Sequence, residues 1–409
     1  MTGSPTLLLL FAWAVPLSKE EAARVFGSDR GKALLAPLEG ELQAEWSAAE
    51  SFLASYSEPP DRRLLRAPDG GDAVAIGLGE RRLPCRVVIT WHPAYHAMTF
   101  SLTTTIDAPD HGSPAADADL AIAVLQSLQG RVAKRDDGLR GCYRGKAMPS
   151  LQAAVNAAYA DLVEGCGVQE GLSRKGWCIE LRAHDGRPPT AAVTHDPRPY
   201  YGLATGDEGW RFVPHDVARE ALGPSWGTRT FVAAYTMATG IICLNAKGDE
   251  YIDHQHELAV RRFGAPEPYF GIDSEIAGLD HGMLFILERV LIRLALADQW
   301  LRRAAEDLQS GGDAASRGKL LRGSLDDILE MLNAALPPEV DSLERRLVTS
   351  MGVERIIRQL DRHAEAMDES TRYAYENLVS ARVTRLTVVT VVLTIVTIVL
   401  GVLQVIVSF

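Results

Sequence analysis

The chain has 409 residues, a formal net charge of −11, 47% hydrophobic residues and 23% charged residues. This length is enough for two or three domains, and the acidic balance argues against nucleic acid as a partner and against charge-driven docking on anionic lipid. Five widely spaced cysteines, with no CxxC pair among them, fit a reducing cytoplasm.

The first two thirds of the chain alternate between strand-like and helix-like segments. An apolar run at residues 7–15 predicts a buried first strand. A signal peptide would require Lys or Arg before this run, and none is present there. Strands are further predicted at 73–78, 85–91, 97–106 and 176–183, helices at 120–133 and 149–164, and a hairpin at 229–237 and 240–245. Residues 1–272 are therefore predicted to form a cytoplasmic α/β domain with a mixed sheet, in one lobe or two.

Two segments of this domain carry more specific expectations. Met98, Phe100 and Leu102 alternate with polar neighbours, which predicts an antiparallel strand exposed on one face. Residues 185–199 are rich in Pro, Gly and polar side chains and are predicted to form a long loop.

The last third of the chain is predicted to be helical. Residues 273–336 are expected to form a helical hairpin region, whose first helix is interrupted by Glu288, Arg289 and Arg293 and so does not span a membrane. A second helix at 320–336 ends at a Pro-Pro pair, which begins the next helix. With only two glycines after residue 338, one helix is expected to run about 72 residues, or roughly 108 Å. It divides into a stalk, 337–385, and a transmembrane helix, 386–409.

The transmembrane segment carries no charge over its 24 residues and would extend about 36 Å, enough to cross a bilayer. Its small and polar residues follow a strict three-four spacing: Thr387, Thr390, Thr394, Thr397, Gly401, Gln404 and Ser408. We call this row the threonine stripe. A heptad spacing puts the row on one helix face, which predicts either a packing seam between helices or the lining of a pore.

Arg382 and Arg385 directly precede this segment, and no basic residue follows it. The positive-inside rule then places the large N-terminal part in the cytoplasm, as a tail-anchored, single-pass protein of the inner (plasma) membrane. A loose 3.5-residue repeat predicts a homo-oligomer with parallel long helices; its residues are Leu343, Leu347, Ile357, Leu360, Ala364, Met367, Ala374 and Leu378.

Candidate chemical sites are few. His92 and His96 flank a turn containing Pro93, which favours a hairpin over a zinc site. His254 and His256 lie in a DHQHE cluster for which no third metal ligand is evident, and a polar loop or interface is expected there. No GxSxG, HExxH, Rossmann fingerprint or recognisable cysteine-nucleophile context occurs, so we predict a protein without catalytic, cofactor-binding or metal-binding residues.

The order of an α/β domain, two shorter helices and one very long helix resembles the stalk and first membrane helix of the CorA-type divalent cation channels. That resemblance covers residues 274–409 and implies a divergent cation channel or transporter. The Gly-Met-Asn motif of that family is absent from the chain, so none of its selectivity residues is carried over.

A second resemblance lies in the middle of the chain, in Tyr201-Gly202-Leu203, in DEGWRFVP at residues 207–214, and in WGTR at residues 226–229. These motifs are similar to bacterial proteins of the CATRA conflict systems, which are associated with caspase-like and TPR-repeat genes. The resemblance implies a membrane-bound sensor or effector of defence or cell death, with a caspase-like protease or a TPR-repeat protein as partner. A membrane-tethered enzyme is the third hypothesis.

The charge asymmetry generates a prediction about topology. In inverted inner-membrane vesicles, residues 1–380 should be digested by added protease, because Arg382 and Arg385 hold that side in the cytoplasm. Detection of the N-terminal domain by immunoblot measures this. A domain protected until detergent is added would contradict the predicted orientation.

Overall fold

The structure, a computed structural model, describes residues 6–16, 20, 23–24, 63–65, 74–78, 81–92, 97–106, 114–128, 140–163, 174–182, 188–227, 232–245, 281–309 and 338–408. These residues form a mixed α/β fold with one C-terminal apolar helix, which confirms the predicted mixture of strands and helices. They fall into two compact units. Of the described residues, the first unit holds those up to Gln299 and those from Pro338 to Ile356. The second unit holds residues 300–309 and the residues from Ile357 onward.

The strands of the first unit are β1 (Thr6–Pro16), β2 (Arg63–Leu65), β3 (Val74–Leu78), β4 (Arg81–His92), β5 (Ala97–Ile106), β6 (Arg140–Tyr143), β7 (Lys146–Met148), β8 (Arg174–Arg182), β9 (Val232–Met237) and β10 (Gly240–Asn245). Their order in space is β7-β6-β3-β4-β5-β1-β8-β10-β9, with β2 beside β4. Two sheets meet in β4, which pairs with β3 through residues 81–85 and with β5 through residues 86–92. The described pairings are antiparallel, except that of β8 with β10.

The helices are α1 (Pro114–Leu128), α2 (Leu151–Val163), α3 (Pro189–His195), α4 (Arg198–Thr205), α5 (His215–Leu222), α6 (His281–Gln309), α7 (Pro338–Ser350) and α8 (Val353–Ser408), with a short 3-10 helix at Glu208–Phe212. Prolines explain why residues 188–199, predicted as a loop, are largely helical. α3 and α4 each have a proline in the first turn, where its fixed φ suits the helix and its missing N–H is not needed.

One face of the sheet packs against α1, α2 and α4 to form the main apolar core. Met98, Phe100 and Leu102 of β5 and Trp177 and Ile179 of β8 lie in this cluster. Phe100 meets Tyr159 of α2 edge-on, with ring centroids 5.3 Å apart. Met98, Phe100 and Leu102 are the alternating apolar residues that the sequence pattern assigned to the interior.

The other face of β5 is also buried, which corrects the prediction of a half-exposed strand. Thr99 and Ser101 are 0% and 1% exposed, because α6 lies over them. Next to them, Gly176 of β8 leaves room for α6: a Cβ at Gly176 would come within 3.2 Å of Leu287 and 3.4 Å of Leu291. Thr99 and Ser101 therefore face a helix and not water.

The long C-terminal helix is not continuous. α7 ends at Ser350, Gly352 adopts a left-handed φ of 71°, and α8 begins at Val353. A glycine takes that conformation without the steric cost that other residues bear. The expected single helix of about 72 residues is thus a 13-residue helix followed by one of 56 residues.

The predicted oligomer seam changes accordingly. Leu343, Leu347, Leu360 and Ala364 are each at most 4% exposed in the single chain, so they do not offer a face to a second copy. On a straight helix the face of Leu360 and Ala364 also lies about 100° from that of the threonine stripe. The homo-oligomer itself stays a prediction, now without these four residues in its seam.

Two glycines in hairpin turns give a prediction about the sheet. Gly240→Ala should lower the free energy of unfolding by more than about 3 kcal/mol, because a Cβ there collides with the Trp177 carbonyl and blocks the β8–β10 pairing. Gly145→Ala is the matched control, since Gly145 also has a positive φ, 79°, but no atom within 4 Å of the added Cβ. It should cost only about 1 kcal/mol. Urea unfolding of the full chain in detergent measures both, and equal losses would contradict the register.

Candidate functional site

The described residues contain one helix segment long and apolar enough to cross a membrane, Tyr375–Leu400 of α8. It has 26 residues, a mean hydropathy of 2.3, and no part of its most apolar window is buried by the chain. The predicted span, residues 386–409, overlaps it, and Phe409 lies outside the described residues. Arg382 and Arg385 are exposed near the start of this overlap.

The threonine stripe lies on this helix as predicted from its spacing. Thr387, Thr390, Thr394 and Thr397 are exposed, and each hydroxyl donates a 2.8 Å hydrogen bond to the backbone carbonyl four residues earlier. Gly401, Gln404 and Ser408 continue the row at helical positions. These hydrogen bonds use the hydroxyl protons of the four threonines within the helix, so the hydroxyls need no outside acceptor.

A second, buried polar cluster surrounds α6 and was not predicted. Every residue from Ile286 to Ala297 is buried, so this stretch of helix is enclosed on all sides. A fully enclosed helix is ordinarily apolar all round. Here it contains Glu288, Arg289 and Arg293, which are 0%, 3% and 1% exposed.

Glu288 joins α6 to the sheet. Its Oε1 accepts hydrogen bonds from Thr99 Oγ1 at 3.1 Å and from Ser101 Oγ at 3.4 Å. Its Oε2 lies 3.9 Å from Nε2 of His92, which is itself 2% exposed at the end of β4. The histidine that the sequence offered as half of a metal pair is therefore a buried partner of a carboxylate.

Arg289 and Arg293 join α6 to α7. Arg289 Nε donates to Glu344 Oε1 at 3.4 Å, and Arg293 Nη2 pairs with the same oxygen. Glu344 is 4% exposed, so this is an ion pair removed from water. Such pairs contribute little net stability because both charges lose their hydration, but they enforce one arrangement of the partners.

The motifs at residues 201–214 form a compact helical insertion between β8 and β9. Gly202 packs against the Trp210 ring, to which an added Cβ would come within 2.7 Å. Asp207 caps the 3-10 helix by accepting from the Gly209 N–H at 2.8 Å. Trp210, 3% exposed, donates through Nε1 to Asp119 of α1, and Arg211 binds the same carboxylate through two hydrogen bonds.

Phe212 in this insertion is 90% exposed. Outside α8, the exposed large apolar side chains among the described residues are Phe212 and Val217. Packing and hydrogen bonds explain Gly202, Asp207, Trp210 and Arg211, whereas contacts among the described residues do not explain the position of Phe212. Residues 228 and 229 of the second motif lie outside the described residues.

No group of three or more His, Cys, Asp or Glu side chains among the described residues is arranged to hold a metal ion. His96 and the His254 and His256 cluster lie outside the described residues. Burial raises the pKa of the Cys85 thiol to about 12, so this cysteine is protonated at neutral pH and is a poor nucleophile.

Comparison with known proteins adds no family. No protein-family model matches the chain, and no curated protein or solved structure matches it at a significant level.

The Glu288 contacts give a prediction about α6 docking. Glu288→Leu should lower the free energy of unfolding by about 1–3 kcal/mol, because the buried hydroxyls of Thr99 and Ser101 lose their acceptor. The triple variant Glu288→Leu, Thr99→Val, Ser101→Ala should recover part of this loss, since an apolar replacement of both partners is far less costly. Urea unfolding in detergent compares the three proteins. A triple variant no more stable than the single one would show that these hydroxyls do not depend on Glu288.

Proposed function

We propose that this chain is a non-enzymatic, membrane-anchored homo-oligomer whose α/β unit faces the cytoplasm and whose α8 helices associate in the bilayer. The observation that carries the proposal is the exposed apolar surface of α8. From Leu386 to Leu400 its Leu, Ile and Val side chains are between 48% and 66% exposed in the single chain. Full burial of one such side chain is favourable by about 1.5–3 kcal/mol, so this helix requires lipid or other helices around it.

The threonine stripe supports association of α8 helices with one another. Lipid contact gives no reason to gather small and polar residues on one face, whereas helix packing does. The hydroxyls of Thr387 to Thr397 donate to their own helix, so the methyl groups can pack closely against a second helix without leaving a donor unsatisfied. This favours a packing seam over a water-filled lining as the first role of the stripe.

We further propose that the assembly acts as a sensor or effector of a bacterial conflict system. The support is the resemblance of the 201–214 and 226–229 motifs to CATRA proteins, which implies a caspase-like protease or a TPR-repeat protein as partner. The exposed Phe212 lies within these motifs. A signal received by the α/β unit would then alter how the α8 helices associate, or open a pore between them.

Two alternatives remain as outcomes of experiment. A divergent CorA-like channel or transporter would conduct divalent cations without any trigger, and a membrane-tethered enzyme would show no ion flux at all. Flux of divalent cations into liposomes that contain the purified chain, with and without a caspase-like partner, separates the three proposals.

The stripe itself gives the sharpest prediction. Replacing Thr390, Thr394 and Thr397 together by Val preserves their shape and removes three hydroxyls that bond only within the helix. Interhelical hydrogen bonds in membranes contribute about 0.6 kcal/mol on average, so a seam made of methyl groups should keep its oligomer mass within error. Any ion leakage should fall sharply, because an apolar ring can dewet and close a pore. Mass in detergent and liposome leakage measure the two effects.

The matched control is Val391→Thr, Val392→Thr and Val396→Thr, which adds three hydroxyls away from the stripe. It should assemble and leak like the native chain. A native chain that stays monomeric across a range of concentrations would end the proposal of a homo-oligomer. Equal leakage from the native chain and the stripe variant, with both assembled, would assign the stripe to packing alone.

A further inference from the structure

The described side chains of α7, residues 341–350, bury three apolar groups in the first unit. Of its thirteen residues, the buried apolar side chains described are Leu343, Leu347 and Val348. Beside them, on the same face, lies the carboxylate of Glu344, 4% exposed. A helix this short depends on its packing for stability, so these few contacts decide whether it stays docked.

The central contact of α7 is the ion pair of Glu344 with Arg289 and Arg293 of α6. The carboxylate and the guanidinium groups both lose their hydration, so the ion pair adds little net stability to the docked helix. An arrangement that separates these charges while they stay buried is strongly unfavourable. Intermediate positions of α7 are therefore costly, whereas a fully undocked α7 can rehydrate Glu344. This produces two states, docked and undocked.

Other described contacts of α7 are polar. Thr349 Oγ1 donates to Glu354 Oε1 at 3.3 Å across the turn at Gly352, and two more contacts lie at the rim of the helix. Ser350 Oγ lies 3.0 Å from Thr236 Oγ1 of β9, and Arg346 Nη1 donates to the Pro224 carbonyl at 3.1 Å. Water can replace both when the helix leaves. Directly after the helix, Gly352 with its φ of 71° provides a pivot, and the chain then enters α8.

We propose that α7 is a latch, which leaves and rejoins α6 and β9 as one unit by rotation at Gly352. Its docked state fixes the position of the chain that leads into α8, and its release frees that chain. The latch goes beyond the proposed membrane role, since its opening can be measured whether or not α8 helices associate.

Hydrogen exchange of the full chain in detergent, followed by mass spectrometry, tests the latch. The amides of residues 343–350 should exchange together, at least about 10-fold faster than those of residues 286–297, because local opening requires less free energy than global unfolding. Glu344→Gln should speed exchange of α7 by roughly 100-fold, since it removes the charge of the one α7 carboxylate that both buried arginines contact. Asp341→Asn makes the same chemical change at an exposed pair with Arg345 and should alter exchange less than about 3-fold.

A disulfide tests the same idea without weakening the fold. In Thr236→Cys, Ser350→Cys the two sulfurs take the positions of hydroxyl oxygens that lie 3.0 Å apart, which places the two thiols next to each other. The oxidised protein should exchange α7 at the rate of α6, and reduction should restore the native rate; Thr236→Cys alone is the control. Exchange of α7 only together with α6 in the native chain, no effect of the disulfide, or failure of the disulfide to form would each overturn the latch. None of these results affects the leakage and mass measurements.

Discussion

The packing of the first unit depends on where the charged side chains of α6 lie, because this part of the helix is enclosed on all sides. Glu288 and Arg289 are adjacent in sequence and so point about 100° apart around the helix, whereas Arg289 and Arg293 are four residues apart and share a face. The carboxylate reaches the hydroxyls of β5, and the two guanidinium groups reach Glu344 of α7. The carboxylate and the two guanidinium groups are thus paired on different sides of the helix. The rotation and the height of α6 between the sheet and α7 follow from these pairings.

Local patterns predicted β1, β3, β4, β5, β8, β9 and β10, because alternation and turn chemistry are properties of neighbouring residues; the short strands β2, β6 and β7 were missed. The order of the strands in the sheet could not be predicted in this way, because it depends on residues far apart in the chain. β1 pairs with β5 and with β8, whose partner residues lie about ninety and more than a hundred and sixty positions away in the chain. Alternation in β5 also could not show that Thr99 and Ser101 contact the carboxylate of Glu288. The alternating pattern is the same whether the polar side chains face a buried acid or water.

Helix continuity was harder to predict, because one glycine in a helical stretch costs only about 1 kcal/mol and is often tolerated. What ends α7 is tertiary: Leu343, Glu344 and Leu347 are buried within the chain, and Gly352 supplies the left-handed turn after them. The threonine stripe was predictable in its placement because it needs only helical periodicity. The buried arginines were visible in the sequence as an interruption of an apolar run, and that interruption was the available signal for the cluster around α6.

The position of Glu344 also bears on the order in which the protein can be completed during translation. Arg289 and Glu344 are separated by 55 positions, and α8 begins only nine residues after Glu344. As the ribosome extends the chain from the N-terminus, α6 emerges before the only described acid that its arginines contact. Folding domains generally complete as units during synthesis. All the residues of the α6 and α7 core therefore leave the ribosome before the apolar segment Tyr375–Leu400, so the sequence order allows that core to be completed first.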